Sequence, residues 1–434
     1  MRKTQLIAFG ALAIPLTGVT VPVTSFVPAF YGAQMGLSLA TIGVALATLR
    51  VLDVFVDLAI GYSSDITKTR FGRRRPWIAA GIVLLFPAVW MTYAPPEVVD
   101  IRYLLIWVGL AYLGWSLVNI PYSAWSADLS SDPAERRRIA GWREFGHLAG
   151  TFIVLSVPFA TALYGHGIDR FTMQWLAYVV CPLFLVGGFL TLRTPEKTDL
   201  QITRPNWTGG LRYMLSNKPF RQYVVFSFLA YLSSALVQAT FVLYVAYYVA
   251  SPKLAGPIFL AYFACAIVAV APAVKASTIL GKHKTMALCM LLWTLSFSAI
   301  AFLPPKEPAA FGFLFILSGA FSAAPLTLAP AILADVSDYA FMKTGRQEAG
   351  QYFAIWNTIQ KATSAIGVGV ALPLIGLLGF DPENVTEEGL EALRFVCFIL
   401  PALPYGIAAF VIWRFPLTDR RQDIIRRKLL KVQA

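Results

Sequence analysis

Long apolar runs alternate with short polar breaks along almost the whole chain. A helix crossing about 30 Å of hydrocarbon needs roughly 20 mostly apolar residues. Twelve runs reach that length, at residues 5–31, 39–62, 77–95, 102–127, 139–165, 171–192, 220–249, 255–280, 285–303, 309–334, 350–380 and 389–415. The first follows Arg2 and Lys3, as a signal peptide would. It is about twice as long as a signal core, carries Pro15, Pro22 and Pro28, and lacks a clear cleavage site, so it reads as a retained helix. The pattern predicts an all-α integral membrane protein with twelve transmembrane helices.

Composition agrees. Of the 434 residues, 57% are hydrophobic and 14% charged, where soluble proteins carry about 25% charged residues. The net charge of +13 would suggest nucleic acid in a soluble domain, but the placement of the basic residues decides otherwise. With the N-terminus inside, 29 of the 36 Lys and Arg fall on cytoplasmic segments and five (Arg102, Arg170, Lys253, Lys306, Arg394) on outer ones. The other two, Arg50 and Lys361, lie within spans. Cytoplasmic loops are enriched in Lys and Arg, so both termini are expected in the cytoplasm and the excess charge faces the bilayer's anionic lipid heads, with no nucleic-acid partner. Four cysteines, Cys181, Cys265, Cys289 and Cys397, stand far apart in apolar runs and read as inert thiols.

The longest polar interior segment, 193–219, divides six spans from six. A short repeat supports the division: Ala127-Asp128-Leu129-Ser130 closes the fourth span and Ala334-Asp335-Val336-Ser337 the tenth. Each is followed, ten or eleven residues on, by Arg138 or Arg346. The expected organisation is an N-terminal six-helix bundle at 1–192, a cytoplasmic linker at 193–219, a C-terminal bundle at 220–415 and a basic tail at 416–434. Parallel halves of this kind are the major facilitator architecture, with its substrate site between the halves.

Charged side chains at the bilayer centre cost about 2.5–3.5 kcal/mol each on insertion scales, so they face a cavity or a partner. In the second span Arg50, Asp53 and Asp57 fall within a roughly 60° arc of one helix face. Two carboxylates one turn apart can share Na⁺ or hold a proton; a buried ion network that pins helices is the alternative reading. Lys361, alone in the eleventh span, would seek Asp53 and Asp57 across the central cavity, or snorkel to the interface. Trp356 and Asn357 stand near it. Arg143, Glu144 and His147 open the fifth span, where an interfacial role competes with a substrate role. Gly146 and Gly150 read as a small-residue packing face.

In the 64–76 loop, Asp65, Arg73 and Arg74 form either a positive-inside loop or a charge latch holding the inner ends together. In the next cytoplasmic loop, Asp132-Pro133-Ala134-Glu135-Arg136 reads as a short capped interfacial helix. Enzymatic signatures are missing. The three histidines are far apart, no GxSxG elbow occurs, and Ala276–Lys282 departs from a phosphate-binding loop. The chain is therefore expected not to be an enzyme, to carry no cofactor, and to draw on an ion gradient.

These motifs resemble the glycoside–pentoside–hexuronide:cation symporter family, the melibiose-permease branch of the major facilitators. The resemblance rests on Arg50-x-x-Asp53-x-x-x-Asp57, on Gly61…Asp65…Gly72-Arg73-Arg74-Arg75-Pro76-Trp77 and on Asn119-Ile120-Pro121-Tyr122. It continues through Asp132-Pro133-x-Glu135-Arg136…Arg143 and Asp335-x-x-Asp338-Tyr339…Gly345-Arg346 to Lys361. It implies that Asp53 and Asp57 bind the coupling cation beside Lys361. Asn119 stands where that branch has an aspartate shared between cation and sugar, and Arg143 where it has a sugar-binding arginine. The sugar-gripping Lys-Asp pair of the first helix is replaced by Ala13-Ile14-Pro15-Leu16, and the loss of carboxylates tilts the coupling ion from Na⁺ toward H⁺.

The expected activity is cation-coupled symport, by a monomer in a bacterial inner membrane, of a small polar solute such as a sugar or glycoside. Asn119, Tyr122, Trp125, Arg143, Trp356 and Asn357 are the expected solute contacts; Asp65, Arg73, Arg74, Asp132, Glu135, Arg136, Asp335 and Arg346 are the expected cytoplasmic gate. Transport of a lysolipid or another amphiphile by the same fold is the second reading.

Overall fold

The computed structural model describes residues 3–67, 69–130, 133–194, 214, 216–344, 349–418, 421–422 and 424–425. Among them every regular element is helical. Eleven helices are long and apolar enough to cross a membrane, and a bent pair makes a twelfth span. Asp132, Arg346, the Arg136 side chain and most of the expected linker and tail lie outside the described residues.

Prolines explain the breaks, because a proline ring removes one hydrogen bond and clashes with the carbonyl four residues earlier. The first span is segmented into Lys3–Gly10, Ala13–Ser25 and Val27–Ala33. Its first break falls at residues 11–12, where Pro15 displaces the bond to Ala11. The eighth span consists of Ala255–Val268 and Val270–Leu280, bent by 42°. There Pro272 sits four residues after Val268. Side-chain caps set the starts of three other spans. Asp100 accepts from the Tyr103 N–H at 2.9 Å, Asp169 from the Thr172 N–H at 3.0 Å, and Thr386 from the Gly389 N–H at 3.1 Å.

Two expectations change. The segment after Asp132 is no separate interfacial helix; Pro133–Ala162 runs as one 30-residue helix that includes the fifth span. The tenth span does not end at 334 but continues to Thr344, giving a 37-residue helix. Apolarity marks where lipid ends, whereas a helix keeps its hydrogen bonds through a polar turn beyond it.

The spans pack as two sets of six. Of the eleven unbroken spans, the first and the seventh, each opening a set of six, are the most buried. Gly146 and Gly150 of the fifth span press against the backbone of Gly10 and Ile14, as the small-residue face predicted. Between the sets, two seams close one end of the molecule. On one, Gly43 of the second span (Leu39–Ile66) packs on Val368, Leu372 and Pro373 of the eleventh (Ala349–Leu377). On the other, Gly256 packs on Pro158, and Gly167 on Pro252.

Candidate functional site

The second span carries Arg50, Asp53 and Asp57 toward the fourth span (Ile101–Asp128) and the eleventh. Asp53 is almost fully buried, with 2% of its side chain exposed, and Asp57 is less so at 21%. Lys361 reaches both carboxylates: its Nζ lies 3.0 Å from Asp53 Oδ2 and also bonds Asp57 Oδ2. Arg50 Nη1 stands 3.6 Å from Asp53 Oδ2. Two cations and two anions thus balance in one low-dielectric cluster, where unpaired charges would be costly.

The fourth span completes the cluster with three residues that sequence reasoning did not single out. Ser116 Oγ lies 2.9 Å from Asp53 Oδ1 and 2.6 Å from Asp57 Oδ1. Its single hydrogen serves one carboxylate at a time. The Arg50 guanidinium lies 4.0 Å from the centre of the Tyr112 ring, and Lys361 Nζ 5.2 Å from the Trp115 ring. Both distances fall within cation–π range. Tyr112, Ser116 and Asn119, spaced by four and three, share a helix face, and that stripe was the available signal.

The other expected residues scatter. Asn119 is half-buried and makes no hydrogen bond to either carboxylate. Tyr122 and Trp125 are fully buried in the N-terminal set rather than facing the gap. The Tyr122 hydroxyl donates to Phe9 O at 2.6 Å, and the Phe9 ring packs on both side chains. The physical reason is that the first helix breaks after Gly10, and the Phe9 carbonyl beside that break accepts from Tyr122. Arg143 pairs with its neighbour Glu144 at 3.2 Å. Trp356 is half-buried against Tyr231 and Phe353, and Asn357 is exposed.

At the opposite end from the seams, Asp65 and Arg74 form an ion pair at 2.5 Å, and Arg74 Nη1 donates to Ser64 Oγ at 2.9 Å. This clip joins the second and third spans within one set, where the expected latch joined inner ends more broadly. Arg75 donates to the Thr194 carbonyl. Asp335 pairs with Lys282, which opens the ninth span, so the second set carries a comparable clip. Arg73 and Glu135 are half-buried at the same lip.

A family model described as MFS/sugar transport protein matches residues 6–419. A candidate glycoside/cation symporter of Escherichia coli K12, YagG, is 26% identical over 423 residues, covering 93% of this chain and 90% of its own length. The glucuronide carrier protein homolog of the same strain is 24% identical, covering 91% of this chain and 88% of its own. Among solved structures, a bacterial homolog of the human lysosomal transporter Spinster, inward-facing and unoccupied, superposes with a TM-score of 0.70. That match has 12% identity and covers 96% of this chain and 100% of the other.

Proposed function

Because the chain belongs to the MFS/sugar transport protein family, we propose that it is a secondary active symporter that couples entry of a sugar-like solute to a cation. The family is one of transporters, not an enzyme class. The placement proposed is a multi-pass protein of a bacterial inner membrane, with both termini cytoplasmic. Residues 1–192 and 220–415 act as the two moving bundles, joined by the linker at 193–219 and followed by the basic tail at 416–434.

One observation carries this reading. Asp53 and Asp57 belong to one set of helices and Lys361 to the other, and their pairing closes a charge-balanced cluster midway along both helices. In the empty carrier, Lys361 neutralises the carboxylates and lets the bundles rock without a bound ion. An entering cation competes with Lys361 for the same oxygens, with the Ser116 hydroxyl as a further oxygen donor. The ammonium is thereby freed and the seam between bundles loosened, so the empty and doubly loaded forms exchange across the membrane. With cytoplasmic termini, the closed seams at Gly43 and Gly256 seal the outer face, and the structure is the inward-facing member of the cycle.

The coupling ion proposed is H⁺. Two carboxylates and one hydroxyl make a sparse oxygen set for Na⁺, and Asn119 contributes no third carboxylate. Purified protein in proteoliposomes, driven separately by H⁺ and Na⁺ gradients, tests this. Uphill sugar uptake with H⁺ alone is expected; uptake with Na⁺ alone overturns the ion, and uptake with neither overturns symport.

A further inference from the structure

Resting on that transport reading, we infer that the solute is a neutral, single-ring sugar held in a charge-free cavity between the first, seventh and eleventh spans. The cavity measures about 220 Å³ and is lined by Thr24, Tyr231, Ser234, Gln238, Gln360 and Ser364, with apolar side chains completing it. Thr24 comes from one set of helices and the other five from the second set, so the cavity straddles the surface along which the sets meet.

The polar residues are arranged, not scattered. Tyr231, Ser234 and Gln238 recur at helical spacing on the seventh span, and Gln360 and Ser364 lie one turn apart on the eleventh. Thr24 Oγ1 donates to the Thr20 carbonyl at 2.8 Å and Ser234 Oγ to the Ala230 carbonyl at 3.2 Å, which leaves the lone pairs of both hydroxyls for a ligand. The side chains of Gln238, Gln360 and Ser364 bond to none of the described residues. Gln238 is exposed and Gln360 half-buried, so both amides are open to a ligand that pairs with them. Each amide presents both a donor and an acceptor, as does each sugar hydroxyl. Tyr231, its ring 6.2 Å from that of Trp356, adds an aromatic wall for the apolar face of a pyranose.

Charge and size narrow the class. No lining residue is charged, and Lys361, next to Gln360 in sequence, is turned to Asp53 and Asp57. The lining itself offers a carboxylate or sulfonate no counter-charge, whereas its hydroxyl and amide groups match neutral hydroxyls. Sites for drug-sized molecules run from about 300 to 1,000 Å³. This cavity falls below that range and suits one ring better than two.

The test is gradient-driven uptake into proteoliposomes of xylose, glucose, galactose and their methyl glycosides, set against glucuronate, galacturonate and lactose. A neutral single-ring sugar is expected to be taken up at least about tenfold faster than any uronate or disaccharide. Gln238→Leu and Gln360→Leu are each expected to raise its KM about tenfold, the cost of one or two lost hydrogen bonds. If a leucine variant fails to insert, Gln238→Asn keeps the amide at shorter reach and is expected to raise KM by a smaller factor. Preferred uptake of a uronate or of lactose, or an unchanged KM in the variants, overturns the substrate assignment while leaving cation-coupled transport standing. If neither gradient moves any sugar, the transport reading itself fails.

Discussion

Lys361 and Asp53, 308 residues apart in the sequence, meet at 3.0 Å and tie the two sets of helices together. Removing one partner of a buried pair costs about 3–5 kcal/mol, because the other charge is left uncompensated. Lys361→Met is therefore expected to destabilise the protein by about 3 kcal/mol, and the double variant Lys361→Met/Asp53→Asn to recover most of that loss. Unfolding of the purified protein in detergent reads both. A single variant as stable as the parent would mean that the pair contributes nothing.

Asp53→Asn tests the same site for transport. It removes a carboxylate that the cation needs but leaves the solute cavity untouched. Uphill accumulation should disappear while exchange of solute down its own gradient persists. Accumulation at the parental level would remove Asp53 from the coupling step.

Ser116 holds the two carboxylates in register. Hydrogen bonds to charged groups contribute about 1.5–3 kcal/mol. Ser116→Ala is expected to lower the cation dependence of uptake severalfold without changing the amount of protein in the membrane. Ser116→Thr, which keeps the hydroxyl, should restore it. An alanine variant with unaltered cation dependence would reduce Ser116 to packing.

The spans were legible because some 20 apolar residues in a row admit few other readings, and Asp53, Asp57 and Lys361 stood out because charge in such a run demands a partner. Ser116 was not legible: a serine in a membrane helix bonds its own backbone as readily as a distant carboxylate. The same ambiguity hid Ser234, Gln238 and Ser364, which carry no charge to mark them. Tyr122 and Trp125 misled in the other direction, since aromatic rings near a gap and aromatic rings in a core share one sequence pattern. The long tenth helix was missed beyond residue 334 because hydropathy reports lipid contact, not backbone hydrogen bonding.

The Asp65–Arg74 clip allows a more modest expectation. Arg74 is buried, but about half of the Asp65 side chain is exposed, so solvent screens the pair. Pairs of this kind contribute about 0–1 kcal/mol. Asp65→Asn should leave the melting temperature nearly unchanged. Its effect belongs instead in the rate of solute exchange, if the clip positions the 64–76 loop during rocking. A large fall in melting temperature with a normal exchange rate would reverse that assignment.

Gly43 marks where the seal between the sets is tightest. A Cβ there would stand 2.6 Å from Pro373 Cδ, 2.9 Å from Leu372 Cβ and 3.1 Å from Val368 O, with rigid ring and backbone atoms on the far side. Real Cβ atoms do not approach so closely, so any larger side chain must push the second and eleventh spans apart. Gly43→Trp is thus expected to hold that end open, which weakens the Lys361 contacts further along the same two helices. Net transport should stop while the protein still folds, because each set keeps its own core. A cysteine introduced at Ser234 should then react with a membrane-impermeant thiol reagent from the outer face faster than the same cysteine does with Gly43 in place. Parental labelling together with normal uptake would show that the seam tolerates bulk, and that closure at Gly43 is not needed for the cycle.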